Sequence, residues 1–107
     1  MIKVKNILSD IHKKHREEIL EEIVSSGNVK VERIVSRGHE TPEGRWYDQD
    51  RNEFVVVLNG EAELLFEEGN QRIKMIKGDY IVIPAHVKHR VERTHPRRNT
   101  IWLTVYY

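Results

Sequence analysis

A chain of 107 residues has the length of one domain, so a second independent core is not expected. Eighteen Lys and Arg against seventeen Asp and Glu leave a net charge of +1, too weak a field to favour nucleic acid or an anionic membrane as a partner. Cysteine is absent, which removes disulfides, thiolate nucleophiles and thiolate metal sites together; a metal here needs His and carboxylate.

The N-terminus carries no apolar signal core, and no run approaches the ~20 apolar residues that span a bilayer, so a soluble cytoplasmic protein is expected. A domain this small buries on the order of two-thirds of its surface, and dimerisation would cover more, so a homodimer is expected. The one local excess of positive charge, Arg90, Arg93, Arg97 and Arg98, is interrupted by Glu92 and lacks the interleaved aromatics of a base-stacking surface.

Along the chain, Ile11, Ile19, Leu20, Ile23 and Val24 recur at three- and four-residue spacing, which predicts an amphipathic helix over residues 9–26. Ser9 or Asp10 would cap its start and Gly27 would end it. Its charges run against the helix dipole, with Lys13, Lys14 and Arg16 ahead of Glu17, Glu18, Glu21 and Glu22, so packing must hold it. His12 and His15 lie one turn apart on this segment and read as part of a solvated face.

After Gly27 the pattern changes to short β-type runs, near residues 29–36, 44–47, 53–59, 61–66, 73–76, 80–83, 89–93 and 101–106. Turn residues separate them, which indicates a sandwich or barrel and not alternating βαβ units. The expected division is a helical segment at 1–27 packed on a β-domain at 28–107.

Asn59-Gly60 is a strong hairpin signal, because a type I′ turn needs positive φ at both central positions. A two-residue loop there would pair Leu58 with Glu61, Val55 with Leu64 and Glu53 with Phe66. Alternation then puts Glu53, Val55, Val57, Ala62, Leu64 and Phe66 on one face, apolar except for Glu53. A carboxylate on such a face must be paired, protonated, metal-bound or near an opening. Downstream, His89 shares a face with Val91, opposite Arg90 and Glu92, so His89 is expected to point inward beside Glu53.

These residues resemble the cupin superfamily over residues 38–93. Glu53-Phe-Val-Val-Val-Leu-Asn-Gly60 matches the end of that family's first motif. Gly78-Asp-Tyr-Ile-Val-Ile-Pro84-Ala-His86-Val-Lys-His89 matches its second, with His86 at the usual Gly position and Arg93 at the closing Asn. The resemblance implies a double-stranded β-helix (jelly-roll) barrel, here mainly β with one N-terminal α-helix. Both histidines of the family's His-x-His pair are missing: four-residue spacing puts Trp46 and Asp48 there, and three-residue spacing Tyr47 and Gln49. The family's metal ligands therefore reduce to Glu53 and His89, with Asp48 as a third candidate and His39 and His86 as loop supplements, for iron, manganese, zinc or nickel.

The stretch Trp46-Tyr47-Asp48-Gln49-Asp50 would wall the barrel mouth. Three functions fit these residues. One is a metal-dependent cupin using Glu53, His89 and Asp48. Another is a metal-free isomerase or epimerase, with His89 as base and Tyr47 or Asp48 as acid. The third is a non-catalytic module that binds a small polar molecule in the barrel.

Overall fold

The structure, a computed structural model, describes residues 1–11 and 15–107. Its strands are β1 (Ile19–Ser26), β2 (Val29–Ser36), β3 (Glu53–Asn59), β4 (Glu61–Phe66), β5 (Gln71–Ile76), β6 (Tyr80–Ile83), β7 (His89–Thr94) and β8 (Thr100–Tyr106), with a 3₁₀ turn at Glu68–Asn70. Two antiparallel sheets form, a five-stranded one in the order β1-β2-β8-β3-β6 and a three-stranded one in the order β5-β4-β7. Val55, Val57, Ile83 and Trp102 from the first meet Ala62, Leu64 and Met75 from the second in one buried cluster. A barrel of two facing sheets results, each strand presenting alternate residues to the shared interior.

The expected N-terminal α-helix is not there: the described residues contain no α-helix, and 19–26 form strand β1. β1 pairs with β2 from Ile19↔Val35 to Ser26↔Val29, with a bulge at Ile23. Three β-branched residues, Ile19, Ile23 and Val24, suit a strand, and the free edge of β2 offers hydrogen bonds that an adverse charge order could not supply to a helix. Gly27-Asn28 is the two-residue loop of this β1–β2 hairpin, with Gly27 at φ 57. A helix terminator and a hairpin turn share that residue type. No helix among the described residues is long and apolar enough to cross a membrane.

The Asn59-Gly60 turn also differs from expectation. β3 and β4 lie in different sheets and do not pair; Glu53 faces Ile83 on β6 and Tyr106 on β8, not Phe66. Among the described residues Asn59 is not one with positive φ, so no type I′ turn forms, while Gly60 alone takes φ 87 at the corner between the sheets. A Cβ on Gly60 would stand 2.6 Å from the Thr100 Cα, so glycine is required there by close approach of β8. The facing pattern nonetheless holds: Glu53, Val55, Val57, Ala62 and Leu64 are all buried, and Phe66 packs against the core. Leu65, which alternation puts on the face opposite Leu64, is buried as well.

The segment at 44–47 is not a strand; Tyr47 makes only an isolated bridge to His89. Side chains hold the loop before it. The Thr41 hydroxyl accepts the Val91 N–H at 2.9 Å, and Arg90 donates to the carbonyls of Thr41, Pro42 and Arg45. β7 therefore carries His89 inward and, one residue later, fixes the loop that brings Tyr47 to the mouth.

Candidate functional site

Glu53 opens β3 and His89 opens β7, so the two sheets bring one side chain each to the same end of the interior. Glu53 Oε1 lies 3.6 Å from His89 Nε2, and both residues are buried. The His89 Nδ1 sits 2.8 Å from the Val87 carbonyl, which can only accept, so Nδ1 carries a proton and Nε2 is the atom that gains or loses one toward the cavity. Tyr47 and Phe66 flank the imidazole, with ring centroids at 5.6 and 5.9 Å.

Burial pushes the His89 pKa down, but the contacts with Glu53 and the Val87 carbonyl outweigh it and the net shift is upward from 6.5. Partial burial and the charges of Glu18 and Glu53 raise Tyr47 despite an opposing hydrogen bond to Thr41. Burial, then Glu53, push Tyr106 up to about 12. Both phenols are therefore O–H donors at neutral pH. Glu53 Oε1 is a buried acceptor with no hydrogen-bond partner among the described residues.

These groups surround a cavity of about 80 Å³, lined also by Gln49, Thr104, Trp102 and Leu64. Among the described residues no Lys or Arg lines it, whereas Glu18 and Glu53 do. Of the two alignments of the missing His-x-His pair, the three-residue one describes this wall, since Tyr47 and Gln49 both line the cavity and Trp46 and Asp48 do not. Asp48 lies instead at the outer rim, where its carboxylate meets His86 at 3.0 Å and both are exposed. The structure thus brings Glu53, His89 and Tyr47 together and leaves Asp48 apart.

The other histidines have places elsewhere. His86 takes φ 66 in the turn after Pro84, the left-handed conformation for which glycine is the usual choice. His39 hydrogen-bonds the Arg37 N–H and the Arg16 carbonyl and stacks on His15 at 5.4 Å. His15 also contacts Asn99, while His12 lies outside the described residues. Among the described residues no group of three or more His, Cys, Asp or Glu side chains is placed to hold a metal ion. One carboxylate and one imidazole fall short of the three or more protein ligands that transition-metal sites use, so the donor set does not fit the metal centre that the family pattern implies.

Sequence reasoning overlooked Tyr106, which lines the cavity opposite Tyr47, and Glu18, whose carboxylate bonds the Ser36 hydroxyl at the pocket edge. Tyr106 was legible, because Trp102, Thr104 and Tyr106 alternate along β8 toward the interior. Glu18 was hidden by the helix reading of its segment.

A jelly-roll of two facing sheets, with its polar groups gathered at one end of the interior, defines the class, and a model of the cupin domain matches residues 31–106. The chain belongs to the cupin domain family. A solved structure from Ralstonia eutropha JMP134, provisionally named a mannose-6-phosphate isomerase, is 34% identical, with a TM-score of 0.93 over 98% of this chain and 97% of that one. An RmlC-like cupin of Desulfovibrio desulfuricans is 22% identical (TM-score 0.74, covering 99% and 97%) and shares the fold. A cupin superfamily protein of Desulfitobacterium hafniense DCB-2 is 17% identical (TM-score 0.74, covering 98% and 97%) and likewise shares the fold. No curated protein matches the chain.

Proposed function

We propose that this chain is a metal-independent cupin that admits the end of a small, uncharged hydroxycarbonyl compound and moves a proton on it through Glu53 and His89. The observation that carries this reading is Glu53 Oε1, buried, without a hydrogen bond among the described residues, and facing the cavity 3.6 Å from His89 Nε2. An unmet buried acceptor costs about 1–3 kcal/mol, which a ligand hydroxyl donating to it would recover.

The raised pKa of His89 favours the imidazolium, so His89 is the acid and Glu53 the base, the reverse of a His89 base. Glu53 takes the proton from the carbon beside the carbonyl, and the C–H electron pair becomes the C=C bond of an enediol as His89 Nε2 protonates the carbonyl oxygen. Reprotonation at the former carbonyl carbon, with loss of the hydroxyl proton from the carbon that gave up its C–H, gives the isomer; reprotonation of that original carbon on its opposite face, with the proton on the former carbonyl oxygen returning to His89, gives the epimer. Tyr47, Tyr106 and Gln49 orient the oxygens by donating hydrogen bonds.

Size and charge narrow the substrate. The cavity of about 80 Å³ is well below the ~300–1,000 Å³ of ordinary ligand sites, so only a reactive end of a few heavy atoms enters. The Ralstonia protein's provisional name falls in the same reaction class, but among the described residues no Lys or Arg lines this cavity to meet a phosphate.

The test is deuterium wash-in followed by proton NMR, on metal-stripped protein with glyceraldehyde, dihydroxyacetone and longer aldoses and ketoses in D2O. Exchange at the carbon beside the carbonyl is expected for the wild type and for Asp48→Asn, with a loss of at least ~100-fold in Glu53→Gln and His89→Gln. Exchange that appears only on adding iron, manganese, zinc or nickel would establish a metal-dependent enzyme instead. Saturable binding without exchange would make the chain a ligand-binding module.

A further inference from the structure

The segment that leads into β1 is fastened to the barrel on both sides of Arg16. His15 Nε2 meets the Asn99 side-chain oxygen at 3.1 Å. The Arg37 N–H donates to His39 Nδ1, so the His39 proton sits on Nε2, which donates to the Arg16 carbonyl at 2.8 Å. A chain of hydrogen bonds from the core then reaches Glu18. Trp102 Nε1 donates to Ser36 Oγ at 3.1 Å, and the Ser36 hydroxyl donates to Glu18 Oε2. An indole N–H is a donor only, so Ser36 has its own proton left for the carboxylate. Ser36 and Trp102 are both buried, and the place of Glu18 is therefore set from inside the barrel, unlike that of a surface acid.

The register of β8 puts this carboxylate at the other end of the cavity from the reacting pair. Ser36 faces Thr100 whereas Glu53 faces Tyr106, and Trp102, Thr104 and Tyr106 line the interior along that stretch. Glu53 is buried, while half-buried Glu18 stands with Leu20 and Tyr47, both exposed, where the cavity opens. Leu20, Ile34 and Trp102 form one row across β1, β2 and β8, an apolar strip that leads inward from this opening. Burial, then the charge of Glu18 and more weakly that of Glu53, raise the Tyr47 pKa, so the phenol lies in the field of both carboxylates.

A carboxylate offers about four lone-pair sites and Ser36 fills one, so Glu18 can also accept from a ligand hydroxyl beside Tyr47. The same negative charge repels a phosphate or carboxylate brought to that place. We infer that Glu18 is the specificity-determining residue of this site: it accepts a hydroxyl from the tail of the substrate, so the chain selects neutral polyhydroxy aldehydes or ketones longer than a triose and refuses their phosphate esters. Resting on the proton transfer proposed for Glu53 and His89, this selection acts on the tail while the reactive end enters the cavity. The tail carbons lie along Leu20 and Ile34. A hydrogen bond to a charged acceptor is roughly twice as strong as a neutral one, and a site built for a hydroxyl discriminates against ligands that cannot supply it.

The test compares the wild type with Glu18→Gln, whose amide oxygen still accepts the Ser36 hydroxyl although the charge is gone. Deuterium exchange on glyceraldehyde, erythrose and erythrose-4-phosphate gives kcat and KM. Calorimetric titration with erythritol and erythritol-4-phosphate, which have no carbonyl to react, gives Kd. The wild type should favour each neutral compound over its phosphate, and Glu18→Gln should lower that ratio at least ~10-fold. The preference for erythrose over glyceraldehyde should fall with it, through KM and not kcat. A merely structural role lowers every rate by the same factor and leaves both ratios unmoved, which overturns the inference. So does a wild type that takes the phosphate as readily as the neutral compound. If exchange is absent while erythritol binding still depends on Glu18 in this way, the proton transfer fails and the selection stands; absence of both exchange and binding overturns both.

Discussion

Replacing Gly60 by Ala tests the corner at which the chain crosses from one sheet to the other. Gly60 has φ 87, where a Cβ costs roughly 1–2 kcal/mol. The added methyl would also meet Thr100 Cα and Oγ1 at 2.6 Å and the Asn99 carbonyl at 2.9 Å, well inside van der Waals contact. Thr100 cannot yield easily, being fully buried with its hydroxyl bonded to both the N–H and the carbonyl of Glu61. Overpacking of this kind costs about 1–3 kcal/mol, so the variant should lose about 2–5 kcal/mol in all. Gly27→Ala is the matched control, since Gly27 also has positive φ but nothing within 4 Å, and it should lose only about 1 kcal/mol. Urea unfolding measures both, and Tm should fall by at least about 10 °C for Gly60→Ala. Equal losses in the two variants would refute the claim that close approach of β8, and not φ alone, demands glycine at the corner.

Other expectations follow from the site and its supports. Because His89 holds its proton more tightly when folded, its contribution to stability is complete below pH 6.5 and is lost as pH rises through the folded pKa. Wild-type stability should therefore fall more steeply above pH 6.5 than that of Glu53→Gln, measured by urea midpoints across a pH series; equal slopes would contradict the pairing. Tyr106 is raised to about 12, so it should ionise after the exposed tyrosines in a near-UV phenolate titration, and Tyr106→Phe should remove that last step. Thr41→Val strands the partly buried Val91 N–H and should cost about 1–3 kcal/mol, with a faster amide exchange over residues 41–47.

The limits of sequence reading are clearest where one residue pattern serves two purposes. Strand β3 could be read from its run of β-branched residues, and its inward face from the period-two alternation that puts Glu53, Val55 and Val57 on one side, which depends on local geometry alone. Which strand lies beside β3 depends on distant segments, so the Asn59-Gly60 corner looked like a hairpin although β8, forty residues on, occupies that edge. Residues 19–26 were lost for a similar reason. Their spacing fits a helix, and only the free edge of β2 and the Gly27-Asn28 loop decide for a strand. At the site, Glu53 and His89 were legible from alternation, whereas Asp48 was aimed inward by a choice of motif spacing that the fold resolves in favour of Tyr47 and Gln49.

Glu53 and His89 stand on strands of separate sheets with no backbone ladder between them. Their gap is therefore governed by side-chain packing between the two layers, as the opening of a pair of jaws is set by what lies at the hinge. A substitution deep in the barrel, such as Met75→Leu or Val57→Ile, can widen or narrow the distance between proton donor and acceptor without touching either. Tuning of the chemistry in related chains is then to be sought in the filling of the interior as much as at the mouth.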